Sequence, residues 1–344
     1  MSNLTHSTGN GQGYGNATLL ANPELCTFET CDLSLASFLY IPTLPGNAIF
    51  AAIFGIYLVV QIYLGIKHKT WGYMTSMVIG LLLEIIGYVG RILLHNDPFN
   101  NNNFLIYLVT LTIAPALLSA SIYLCLARIV NIYGENLSRF KPRTYTLFFV
   151  TCDLICLVLQ ALGGALASMA DTKSQADLGK NIMMAGLVFQ VVSLTCFATA
   201  ATEFGLRVWK AQGQWNPRYL RIVATRLFKA FLIGLAVATV TIFIRSVYRI
   251  AELSGGFNSH LFTDDEVAFM ILEGVMIITA CGCLTALHPA VCFQGVWHET
   301  NFVFRTSRNG AEKISYETSD EESQQNIQMD SLRDLSNVAA QRSI

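Results

Sequence analysis

Arg245 and Arg249 stand four residues apart inside the apolar run TVTIFIRSVYRIAEL, and Glu252 follows three residues later on the same helical face. Ionisable groups in such a run must face a bundle interior or a water-filled cavity, where they can pair with one another or hold the charged end of a ligand. The same spacing recurs elsewhere. Glu84, Tyr88 and Arg91 are separated by four and three residues, and Asp153, Cys156, Gln160 and Gly163 share a face in another apolar stretch. Gln190 sits in the middle of a further stretch, and Glu266 and Glu273 lie seven apart in the last. The candidate residues are therefore Glu84, Tyr88, Arg91, Asp153, Gln160, Gln190, Arg245, Arg249, Glu252 and Glu273. Their chemistry is the handling of charge inside hydrocarbon, read as a vertical track in which acidic and basic members are close to balanced. Interhelical ion pairs that only fix packing, or a hydrogen bond made by Gln190, would give the same pattern, and the two readings stand side by side here.

The elements that must position these residues are membrane spans. The chain is 53% hydrophobic and only 13% charged, with a mean hydropathy of +0.47, whereas a soluble domain carries about 25% charged residues. Seven stretches reach the roughly 20 apolar residues needed to cross a bilayer: Leu44 to Ile66, Trp71 to Leu94, Phe104 to Val130, Thr144 to Ala170, Ile182 to Leu206, Leu227 to Ile250, and Val267 to Phe293. The expected fold is all-α, a polytopic bundle of seven transmembrane helices. Gly163, Gly164 and Ala167 offer a small-residue surface for close helix contact.

Orientation follows from Lys and Arg in the short loops, which are enriched on the cytoplasmic side. The loops after the first, third and fifth spans carry Lys67 and Lys69, then Arg139, Lys141 and Arg143, then Arg207, Lys210, Arg218 and Arg221; the loops after the second and sixth carry none. The loop after the fourth is discordant, with Lys173 and Lys180 against Asp171 and Asp177. The N-terminus is thus expected outside and the C-terminus in the cytoplasm. Residues 1–40 are expected to form an extracellular disordered tail with glycosylation acceptors at Asn3 and Asn16, and Cys26 and Cys31 could pair there. Residues 41–296 form the transmembrane domain. Residues 297–344 read as a cytoplasmic disordered tail, with Ser315, Tyr316, Thr318, Ser319 and Ser323 set among acidic residues. All four Trp, at positions 71, 209, 215 and 297, are expected at the cytoplasmic interface.

Several functions are disfavoured. No G-x-x-x-x-G-K-[ST] loop occurs, so energy for transport would come from an ion gradient, a protein partner or downhill flow. No Cys/His array suggests a metal, His288 alone lies well inside a span, and an intramembrane hydrolase lacks its constellation. The net charge of −1 forms no single basic surface. The expectation is no enzyme, no cofactor and no nucleic acid, with a lipid or amphipathic small molecule as partner. The alternative is a seven-helix receptor or sensor for such a ligand. Against it, Arg128 has no acidic residue before it, and His288-Pro289 stands in place of an Asn-Pro-x-x-Tyr pattern.

The motifs Glu84-Ile-Ile-Gly-Tyr-Val-Gly-Arg91, Ala114-Pro115 with Tyr123 and Arg128, Asp153 with Gln160 and Gly163-Gly164, Ala185-Gly-Leu-Val-Phe-Gln190, Arg245-Ser-Val-Tyr-Arg249-Ile-Ala-Glu252, and His288-Pro289 resemble the fungal RTA-like lipid-translocating exporters. Within that family the similarity is greatest to exporters of sphingoid long-chain bases, and it covers about Tyr40 to Val296. The resemblance implies a multi-pass plasma-membrane protein that moves or releases amphipathic lipids and confers resistance to toxic ones. Other members of the family are linked to porphyrin transport or stress responses. One departure is Glu273, where the family usually has Asp, so charge is kept while reach changes.

Overall fold

The structure is a computed structural model and describes residues 42–297 apart from 140–141, 171, 212, 214 and 255–265. The glycosylation acceptors Asn3 and Asn16, the Cys26 and Cys31 pair and the acidic C-terminal segment lie outside the described residues. Within them the chain is all-α, and seven helices are long and apolar enough to cross a membrane. These are α1 (Leu44–Lys67), α2 (Trp71–Asn96), α3 (Asn101–Tyr133), α4 (Pro142–Ser168), α5 (Lys173–Lys210), α6 (Arg226–Ser254) and α7 (Glu266–Ala286). The protein is a multi-pass membrane protein. The helices overrun the apolar stretches at most ends, and at two starts a polar side chain caps the first turn. Asn100 accepts from the backbone N–H groups of Asn102 and Asn103 at the start of α3 (3.0 and 3.4 Å), and Thr172 caps α5 through Gln175.

The faces are inverted relative to a soluble protein. Ile56, Val59, Leu147, Leu154, Leu162 and Ile233 are exposed on the outside of the bundle, as a lipid-facing surface requires, while charged residues occupy the interior. Helix α3 is the enclosed centre, with 61% of its apolar stretch buried against 17% for the peripheral α1.

Glycine sets the closest approaches. A Cβ at Gly163 would lie 2.8 Å from the Gly179 carbonyl oxygen, and one at Gly179 would lie 2.8 Å from that of Gly163. Backbones of α4 and α5 therefore meet where only glycine fits. On α2, a Cβ at Gly90 would come within 3.1 Å of the Tyr107 backbone nitrogen on α3.

Helix α7 departs from the expected uninterrupted span. Its segment Met270–Val275 forms a π turn around Glu273, and the helix ends at Ala286 instead of reaching Phe293. Pro289 explains the early end: it lacks an N–H and restricts the residue before it, and His288 takes an extended ψ of 128° before the short helix Pro289–Cys292. The tryptophans differ in burial. Trp71 and Trp209 are exposed, whereas Trp297 is buried, with the Arg128 guanidinium 3.6 Å over its ring.

The two ends of the bundle are tied separately. At the Leu44 end, the Thr43 N–H donates to Glu266 Oε1 (2.6 Å) and the His95 Nδ1 meets the Pro42 carbonyl (2.8 Å). At the Lys67 end, the Tyr73 hydroxyl donates to the Leu284 carbonyl (2.9 Å). Towards the same end, Gln61 on α1 donates to the Thr285 hydroxyl on α7 (3.0 Å).

Candidate functional site

All ten candidate residues are buried, none more than 3% exposed. The structure gathers them into two groups instead of one continuous track.

The first group lies towards the Leu44 end, between α1, α2, α3, α6 and α7. Four- and three-residue spacing on α6 turns Arg245, Arg249 and Glu252 inward together. The Arg245 guanidinium donates to Glu273 Oε1 and to the Leu111 carbonyl. Arg249 donates to Glu252 Oε2 (2.6 Å) and to the Thr112 hydroxyl (3.3 Å). Arg91 on α2 donates through Nε to Asn47 Oδ1 (3.1 Å) and lies 3.8 Å over the Phe269 ring and 5.2 Å from that of Tyr107, contacts that favour a desolvated cation. Glu84 neighbours Arg245, Arg249 and Glu273, and one of its carboxylate oxygens has no hydrogen-bond partner. Tyr88 stacks on Phe54 at 5.6 Å and meets the edge of Phe50 at 5.4 Å. The formal charges of Arg91, Arg245 and Arg249 balance those of Glu84, Glu252 and Glu273. This cluster is a self-neutralising core.

The second group lies between α3, α4 and α5. Thr112 and Tyr123, which mark the two groups on α3, are eleven positions apart in sequence, about 16 Å along the helix at ~1.5 Å per residue. Gln160 donates to Gln190 Oε1 at 2.8 Å, joining α4 to α5. Asp153 is 3% exposed, yet neither carboxylate oxygen has a hydrogen-bond partner. The Tyr123 hydroxyl faces it without the geometry of a formed bond. Cys152 and Cys156 flank it on its own helix. No Lys, Arg or His pairs with Asp153, and no hydrogen bond or ion pair joins the two groups, among the described residues.

Tyr123 connects Asp153 to an apolar cavity. Its ring packs at 4.5 Å from Phe197 on α5, and Phe197 lines a cavity of about 520 Å³ between α3, α5 and α6, together with Ile122, Leu126, Trp209, Trp215 and Leu235. That volume lies within the range of small-molecule sites. A buried acid one aromatic layer away from an apolar slot suits a ligand with a cationic head and an alkyl chain.

Sequence reasoning alone had not singled out Asn47, Tyr107, Thr112 or Phe269, which sheathe the arginines. A polar residue in the first apolar span was the available signal for Asn47. For Phe269 there was none, since its role depends on where Arg91 lands. Tyr123 was noted only through the family resemblance.

The sequence matches the RTA1 like protein family over residues 77–296. The sphingoid long-chain base transporter RSB1 of Saccharomyces cerevisiae (strain Lalvin EC1118) is 31% identical over 284 aligned residues, covering 74% of each chain. Protoporphyrin uptake protein 1 of the same species is 30% identical over 195 residues, 56% of this chain and 60% of that protein. Protein RTM1 of that yeast is 27% identical over 214 residues, 62% and 66% of the two chains. No solved structure matches the chain. A family match across most of the bundle, including every charged residue of both groups, makes this chain a member of the RTA1-like family.

Proposed function

We propose that the protein translocates a cationic, single-chain amphipath of the sphingoid-base class across the membrane, or assists its release. The observation that carries this reading is Asp153, a buried acid with no basic partner among the described residues, separated from an apolar cavity by the packed rings of Tyr123 and Phe197. A charge in that position is costly alone and is stabilised by an incoming cation. The ammonium head of a sphingoid base supplies the cation, and its alkyl chain suits the slot lined by Phe197 and Leu235. The similarity to a protein named a sphingoid long-chain base transporter points to the same ligand class. The balanced first group then acts as the scaffold around which the helices move. Efflux at the plasma membrane and resistance to toxic lipids follow as the cellular expression of this activity.

The test is purified protein in liposomes loaded with labelled sphinganine on the inner leaflet. Faster loss than from protein-free liposomes is expected without any added partner. Retained binding without movement would return the protein to the receptor reading. The proposed orientation, N-terminus outside, predicts glycan on Asn3 or Asn16 and none on the exposed Asn136, and glycan on Asn136 in intact cells would reverse it.

A further inference from the structure

The translocator reading leaves open what drives movement, and the surroundings of Asp153 supply an answer. Every element packed against it contributes neutral groups. From α3 come Tyr123 and, beside it, Ser119; from α5 comes Ser193, next to Cys152; α4 itself adds Cys152 and Cys156. The hydroxyls of Tyr123 and Ser193 are buried without hydrogen-bond partners, as are both oxygens of Asp153. Among the described residues nothing charged compensates the carboxylate.

A carboxylate so placed cannot persist alone in a low-dielectric interior. In the empty protein it is neutral only when it carries a proton. In the loaded protein it is neutral only when it pairs with the ligand's ammonium group. The two cations compete for the same oxygen atoms. We propose that Asp153 exchanges a proton for the cationic head of the lipid, so that translocation is a counter-transport of one proton against one amphipath. This rests on the translocator reading above. The balance is simple: the O–H bond of the carboxylic acid breaks, the proton leaves to water on the side to which the site is open, and the carboxylate pairs with the ammonium. On the other side the ion pair separates and the proton returns. The site stays neutral in both occupied states, which removes the charge-burial barrier from each crossing.

The experiment uses full-length protein in detergent, in weakly buffered solution with a pH indicator, and N,N,N-trimethylsphingosine as probe. Its charge is fixed, so any proton released on binding comes from the protein. About one proton per bound probe is expected, and by reciprocal linkage the affinity should weaken up to about tenfold per unit as pH falls below the carboxyl's titration. Asp153→Asn should abolish both effects at an unchanged melting temperature, and Asp153→Glu should restore them. Should Asp153→Asn fail to fold, the wild-type stoichiometry and the Asp153→Glu profile still decide. Binding without proton release, or undiminished release from folded Asp153→Asn, overturns the exchange and leaves the translocator reading standing. Failure of the wild-type protein to bind both this probe and sphinganine overturns the translocator reading and the exchange with it.

Discussion

The two polar groups inside the bundle are equally buried and oppositely built. In the first, Arg91, Arg245 and Arg249 meet Glu84, Glu252 and Glu273, and Arg245 and Arg249 each find both a carboxylate and an oxygen of α3. In the second, Gln160 and Gln190 satisfy one another in part, but Asp153 has no countercharge among the described residues. Burial alone therefore does not distinguish a structural charge from a functional one; the state of its partners does. The first cluster balances its own charge within the chain, even though single atoms such as Glu84 Oε1 and Glu273 Oε2 lack a hydrogen-bond partner, and holds helices in register. A lone acid is complete only with something from outside.

The largest effect should come from breaking the complete group. Arg245→Gln strands Glu273, and loss of one partner of a buried pair costs about 3–5 kcal/mol. Expression and the thermal midpoint in detergent should fall sharply, and the double change Arg245→Met with Glu273→Leu should recover most of the loss. A single neutralisation with no effect on the midpoint would remove the distinction between the groups.

Asp153→Asn tests the other side. It keeps the shape and should leave the midpoint near that of the wild type, while affinity for sphinganine falls roughly 30-fold, about 2 kcal/mol at the low end for truncating a buried charge contact. Tolerance of added sphingoid base should fall at normal surface expression, and Asp153→Glu should keep part of it. Parallel loss of stability and tolerance would make Asp153 a structural residue like Arg245.

The Gln pair offers a smaller test within the second group. Gln160→Leu leaves Gln190 a buried amide with one fewer partner and should cost about 1–3 kcal/mol, whereas Leu at both positions should be close to neutral. Proton release on ligand binding should survive the double change, which separates the packing part of this group from Asp153.

Much of this arrangement was legible in the sequence, for a physical reason that also sets its limit. Apolar length announces a span, and the four- and three-residue spacing of Glu84, Tyr88 and Arg91 announces which face turns inward, because both are properties of one helix. That the inward-facing acids and bases would pair with one another follows from charge alone, whereas the choice of Glu273 for Arg245 and of Glu252 for Arg249 does not. What one helix cannot encode is the company its residues keep. The division of the polar residues into two groups depends on which helices pack around α3, and the Arg91 site depends on Asn47, Tyr107 and Phe269 arriving from three different helices. The π turn around Glu273 has no compositional mark, since Met270–Val275 reads as ordinary apolar helix. The break after Ala286 was readable from Pro289, yet the apolar run to Phe293 masked it.

The smallest effect per atom, and the one that ties the lone acid to its cavity, concerns chain length. If the head of the ligand rests at Asp153 and its chain in the slot between α3, α5 and α6, affinity should rise along a series of single-chain amines, by at most about 0.8 kcal/mol per buried CH₂. Ala201→Phe places a ring in that slot and should flatten the series, with longer chains losing most and the shortest losing little. Asp153→Asn should instead weaken every member by a similar factor and leave the slope intact, because it acts on the head alone. Titration calorimetry across the series in both variants separates the two contributions. A slope unchanged by Ala201→Phe would place the chain elsewhere, on the lipid-facing surface of the helices, and leave Asp153 as a head site without the slot beside it.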